Sequence, residues 1–97
     1  MANLFEPGKL LATPGAVEAL SISYMDTCLK RHLSGDWGHL GAEDKKANDE
    51  AVKLGNRILS AYPLDPSKPS KGHAENTVWI ITEADRSATT ILLPNEY

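Results

Sequence analysis

Apolar positions along the chain change their period once. As far as Gly55 they recur at three- and four-residue intervals, and from Arg57 onward they alternate with polar or small residues. The first regime predicts helices and the second predicts strands. Thr13 before Pro14 offers a side-chain oxygen for an N-cap and then a preset φ, so a short helix is expected to begin there. Ser23 with Asp26 three residues on resembles a capping box and is expected to open a second helix. In that helix Met25, Leu29 and Leu33 share one face, and Gly35 ends the run. After the loop SGDWGHLG, the stretch Glu43 to Leu54 reads as a third helix with Ala47, Ala51 and Leu54 inward. Its solvent side carries Lys46/Glu50 and Asp49/Lys53 at i, i+4, and Gly55 supplies a left-handed stop.

In RILSAYPL, Ile58, Ser60 and Tyr62 alternate with Arg57, Leu59 and Ala61, which predicts a first strand. A second strand is expected from Thr77 to Glu83 and a third from Ala88 to Leu93, joined by the turn Ala84 to Ser87. The intervening PLDPSKPSKGHAEN holds three prolines and several polar residues, so 63–76 is expected to be an exposed, mobile loop. A four-residue connection places Glu83 opposite Ala88, Ile81 opposite Thr90 and Trp79 opposite Leu92. Trp79, Ile81 and Leu92 then share one face, and Val78, Ile80, Ile91 and Leu93 share the other. The expected fold is α+β within a single domain, 1–97. A helical half, about 13–55, packs on a three-stranded antiparallel β-meander, about 57–93.

Ninety-seven residues leave room for one modest core, and 41% apolar with 24% charged residues is ordinary globular composition. Thirteen acids against ten bases give a net charge of −3, so the clustered basic footprint of nucleic-acid binding is missing. One cysteine, Cys28, excludes an internal disulfide and any site built on several thiolates. MANLFEPGKLLATPG has neither a basic run leading into an apolar segment nor a span-length apolar stretch, and a cytoplasmic protein without a membrane partner is expected.

Three groupings bear on chemistry. Cys28 and His32 at i, i+4, with Asp36 and His39 nearby, offer sulfur, nitrogen and carboxylate ligands, but their spacing fits no standard zinc pattern. A buried thiol and a helix-end imidazole account for them instead, and neither a metal nor another cofactor is expected. In SGDWG, Trp37 is either an anchor of the loop on the core or an exposed binding residue. Glu83, Asp85 and Arg86 suit a chain reversal, with Asp85 bonding the backbone ahead of it. Joined by His32 and Asp36, they would suit proton transfer instead.

The segments RHLSGDWG, RILSAY and WIITEADRSATTILLPNEY resemble a family of small uncharacterised proteins carried by bacterial plasmids and other mobile elements, over most of 13–97. The resemblance implies a bacterial cytoplasm and a mobile-element setting. The functional expectation is a non-catalytic interaction or regulatory protein that binds a protein partner or a second copy of itself. Trp79, Ile81, Leu92, Trp37, Asp85 and Arg86 are its candidate binding residues. The alternative is a small hydrolase or transferase using His32, Asp36, Glu83 and Arg86. The Trp79 face is expected to be a binding surface unless Leu4, Phe5 and Leu11 fold over it.

Overall fold

The computed structural model describes residues 3–71 and 75–97. Among them the elements run β1 (Lys9–Ala12), α1 (Pro14–Ala19), α2 (Ile22–Leu33), α3 (Ala42–Leu54), β2 (Ile58–Pro63), β3 (Thr77–Thr82) and β4 (Ala88–Leu92), with a closing 3-10 turn, Pro94–Glu96. The architecture is α+β, as the change of period predicts. The sheet nevertheless departs from the expected three-stranded meander. It has four strands in the order β1-β4-β3-β2, and β1 joins β4 in parallel. A strand of four residues, set between Pro7 and Pro14, is too short for alternation to declare, and its partner lies at the other end of the sequence.

Where the pattern is local, register follows it. Trp79 lies opposite Leu92 and Ile81 opposite Thr90, and the Glu83 N–H donates to the Ala88 carbonyl at 3.0 Å. Ile58, Ser60 and Tyr62 are buried on the helix side with Val78, Ile80, Thr82, Thr89 and Ile91. Two apolar clusters sit on that side. One joins Ala16, Leu20 and Cys28 to Tyr62, Val78, Ile80 and Ile91, and the other joins Phe5, Leu33, Trp37 and Ala51 to Ile58. Each fully buried aliphatic side chain here stabilises the fold by about 1.5–3 kcal/mol.

The helix starts need one correction. Thr13 caps α1, accepting from the Ala16 N–H at 3.4 Å. For α2, Ser21 and not Ser23 is the cap, accepting from the Tyr24 N–H at 3.1 Å, while Asp26 pairs with Lys30 at 2.9 Å. In α3 the inward residues are Asn48 and Ala51, whereas Ala47 and Leu54 are exposed. Asp49 accepts from the Trp37 indole at 2.9 Å, a use other than the expected pairing with Lys53. Gly55 ends α3 at φ 76, as its position predicts.

The expected loop over 63–76 begins inside β2, which pairs as far as Pro63 with Thr77. Its described part is gathered by Asn76, whose amide donates to the carbonyls of Asp65, Lys68 and Pro69 at 3.2, 3.1 and 3.1 Å. The Asp65 N–H returns a bond to the Asn76 side chain at 2.7 Å. The rest of that expectation, 72–74, lies outside the described residues.

Candidate functional site

His32 projects from α2 into the sheet and is fully buried. Its Nδ1 lies 2.5 Å from Ser60 Oγ and its Nε2 lies 2.9 Å from Thr82 Oγ1. Thr82 Oγ1 is 2.7 Å from Thr89 Oγ1, which donates to the Pro7 carbonyl at 2.7 Å. A carbonyl only accepts, so the proton order along this row is fixed from its end. Thr89 gives its proton to Pro7 and therefore accepts from Thr82, Thr82 accepts from His32 Nε2–H, and Nδ1 accepts from Ser60. One direction satisfies every group, with the imidazole neutral. Burial pushes the His32 pKa down to about 3, which keeps it neutral across the physiological range.

The other residues of the enzyme alternative point to separate partners. Asp36 receives Arg31 at 2.7 and 3.2 Å and the Gly38 N–H at 3.3 Å, and the Arg31 guanidinium holds its carboxyl below the usual carboxylate range. Its backbone carbonyl accepts from Tyr62 Oη at 2.6 Å. Cys28 is buried and His39 exposed, and among the described residues no three His, Cys, Asp or Glu side chains are gathered to hold a metal ion.

The charged cluster 83–86 is a clamp. Arg86 adopts φ 60, and its guanidinium donates to the carbonyls of Asn56 at 2.7 Å, Ala51 at 2.9 Å, and Glu83 and Ala84 at 3.2 Å each. It thereby closes the C-terminus of α3 against the β3–β4 turn, the end of a helix where a cation is stabilising. The same group sits 5.5 Å over the Phe5 ring. Asp85 accepts from the Ser87 hydroxyl and, at 3.0 Å, from the Ser87 N–H, which together hold its carboxyl below the usual range, and Glu83 is exposed. Gly8, at φ 64, lets the N-terminal segment press on this turn, since a Cβ there would collide with the Arg86 and Ser87 backbone.

Of the remaining candidates, Trp37 is buried between Phe5 and His32, with ring centroids 6.3 and 5.9 Å away. Ile81 and Leu92 are also buried, and Trp79 is half-buried under Tyr97, whose ring meets it edge-on at 5.9 Å while Arg57 stacks on the Tyr97 ring at 5.5 Å. Of the expected cover of Leu4, Phe5 and Leu11, the register puts only Leu11 on this face, opposite Thr90. Phe5 inserts on the helix side, and Leu4 and Leu11 remain exposed. The Trp79 face therefore offers solvent the Trp79–Tyr97 pair and Leu11.

The two sheet edges differ more than the two faces do. At β2 the Asn48 side chain donates to the Leu59 carbonyl at 2.7 Å and accepts from the Leu59 N–H at 3.3 Å. The Ala61 N–H donates to the Trp37 carbonyl at 3.2 Å, and the Ala61 carbonyl accepts from the His39 N–H at 2.8 Å. Gly38, at φ 76, permits that approach, because a Cβ would collide with the Ala61 carbonyl. At β1, Lys9 and Thr13 turn their amides to β4, at 3.0 Å each. Alternation then leaves the N–H and C=O groups of Leu10 and Ala12 facing outward, without a partner among the described residues. Beside them lies a groove of about 310 Å³, lined by Leu10, Leu11, Ile22, Met25, Leu29 and Ile91 among others, at the small end of the ~300–1,000 Å³ range of ligand pockets. Leu10, Leu11 and Ile22 are 56%, 42% and 82% exposed.

No family model, curated protein or solved structure matches the chain. Sequence reasoning passed over Asn48, Leu10 and Ile22, and read Leu11 only as cover for the Trp79 face. Ile22 carried a signal, a large aliphatic residue in the first turn of a helix ahead of the Met25 stripe. Asn48 carried none, since its role depends on where Leu59 lies in space.

Proposed function

We propose that this chain is a non-catalytic protein-binding domain that receives an extended protein segment along the open β1 edge. The mobile-element setting and the bacterial cytoplasm come to this reading from the motif resemblance alone. The observation that carries it is the coincidence of two residues with outward backbone groups unpaired among the described residues, Leu10 and Ala12, with the exposed apolar side chains of Leu10 and Ile22 around one groove. Strand addition uses this combination: main-chain bonds supply affinity, and side-chain pockets supply selectivity. A small hydrolase or transferase built on His32, Asp36, Glu83 and Arg86 has less behind it. Three of those side chains are committed to internal partners, and the imidazole has no exposed surface.

Among the described residues no helix is long and apolar enough to cross a membrane. The test is affinity capture from bacterial lysate with wild-type chain and with Ile22→Glu as baits, both checked for native circular dichroism. Loss of a defined set of proteins from the variant is the expected result. Identical captures from the two baits would remove the groove from function.

A further inference from the structure

The geometry points to a second copy of this chain as the occupant of the open edge, paired antiparallel about a two-fold axis at Leu11. This deepens the protein-binding reading and rests on it. In an antiparallel pair, two outward-facing residues bond each other through both N–H and C=O, so only registers that oppose outward residues form bonds. Here those residues are Leu10 and Ala12. With the axis at Leu11, Leu10 meets Ala12 of the second copy and Ala12 meets its Leu10, which consumes all four unpaired groups of each strand. Moving the axis to Leu10 sets Ala12 against Gly8, which is out of extended conformation at φ 64. Moving it to Ala12 sets Leu10 against Pro14, which has no N–H to give. The strand is thus complementary to itself in one register.

Charge agrees with that register. Lys9 would stand opposite Thr13 of the second copy, and the Thr13 hydroxyl donates to Glu96 at 2.5 Å. Glu96 also accepts from the N–H groups of Gly15 and Leu93, both at 3.0 Å, and these bonds hold its carboxyl below the usual range and therefore ionised. Each copy's Lys9 ammonium accordingly faces the other's Glu96 carboxylate, once on either side of the axis. At the axis itself Leu11 meets Leu11, an apolar pair with no like charges opposed. A two-fold pair of this kind closes on itself and yields one eight-stranded sheet.

Leu11 would be a non-hydrogen-bonded pair, with Cα atoms about 4.5 Å apart, inside the ~4.4–6.8 Å span of a disulfide. Leu11→Cys under a glutathione redox buffer should therefore form a reducible covalent dimer. Lys9→Cys should not, and the native Cys28 is buried and adds no background. In sedimentation the wild-type chain should dimerise. Leu11→Glu and Leu11→Lys should each be monomeric, and their equimolar mixture should recover the dimer. A wild-type chain that stays monomeric up to about 1 mM overturns the proposal, because that limit already corresponds to negligible affinity. So does a Leu11→Cys chain that cross-links no faster than Lys9→Cys. If such a monomer still loses its captured proteins on Ile22→Glu, the protein-binding reading survives the second copy. An Ile22→Glu chain that captures the same proteins as wild type ends the protein-binding reading of the groove, whichever way the Leu11 variants fall.

Discussion

The two edges of one sheet are treated in opposite ways. Along β2 the outward groups of Leu59 are taken by the Asn48 side chain and those of Ala61 by the backbone on either side of Gly38. Along β1 the outward groups of Leu10 and Ala12 are left bare, next to exposed leucines and Ile22. Unpaired edges invite addition of further strands, and proteins commonly blunt them with charges, bulges or covering segments. The covering of β2 shows that this fold has the means to seal an edge, which makes the bare state of β1 informative.

The largest expected effect comes from opening the sealed edge. Asn48→Leu leaves the Leu59 N–H and C=O without protein partners, at about 1–3 kcal/mol for each group that water cannot reach. A loss of roughly 2–4 kcal/mol in urea unfolding is expected, together with faster hydrogen exchange at Leu59. If stability stays within about 0.5 kcal/mol of wild type, the sealing of β2 contributes nothing and the contrast between the edges fails.

Acid should act between the edges, on the His32 row. The folded pKa of His32 lies below its unfolded value near 6.5, so the unfolded chain binds the extra proton. The stability that neutral His32 confers is whole above about pH 6.5 and declines as pH falls, at about 1.4 kcal/mol per pH unit, until the folded pKa is reached. Asp36, Asp85 and Glu96 are all held below the usual carboxylate range, so their losses come at lower pH. Between pH 6.5 and 4.5 a decline of roughly 2–3 kcal/mol is expected. In His32→Gln that one-proton slope should vanish. A slope unchanged by the substitution would place the titrating group elsewhere.

The smallest effect belongs to the bare edge. Leu10→Ser should change the stability of the monomer by no more than about 0.5 kcal/mol, since Leu10 is largely exposed and its outward groups bond nothing within the chain. Hydrogen exchange on dilute protein should be rapid at the Leu10 and Ala12 amides and slow at Ala61. Protection of Leu10 in the dilute monomer would mean that β1 is covered from within.

What the sequence disclosed, and what it withheld, follows the range of the interactions. The β3–β4 register was legible because alternation and a short connection constrain it over a dozen residues. Thr13 and Gly55 were legible because caps act within one turn. The inward face of α3 was misjudged, because residue type favours Ala47 over Asn48 and only the position of Leu59 reverses that choice. Arg86 read as one member of an exposed turn, and its carbonyl partners on α3 appear only once the chain has folded. The hydroxyls of Ser60, Thr82 and Thr89 alternate into a buried face where aliphatic residues would be the simpler choice. The imidazole that they serve lies on a different element.

The pairing of β1 with β4 also bears on the order of events in folding. The Thr89 to Pro7 bond spans 82 residues, whereas the hairpin of β3 and β4 closes over a short turn. Closing a long loop costs more chain entropy than closing a short one, so distant pairings form late and local ones early. β1 should be the last strand to dock and the first to fray. When it leaves, the row that β1 covers on β4 becomes the new margin of the sheet. The strand that offers the chain its open edge is then also a removable lid over a second one.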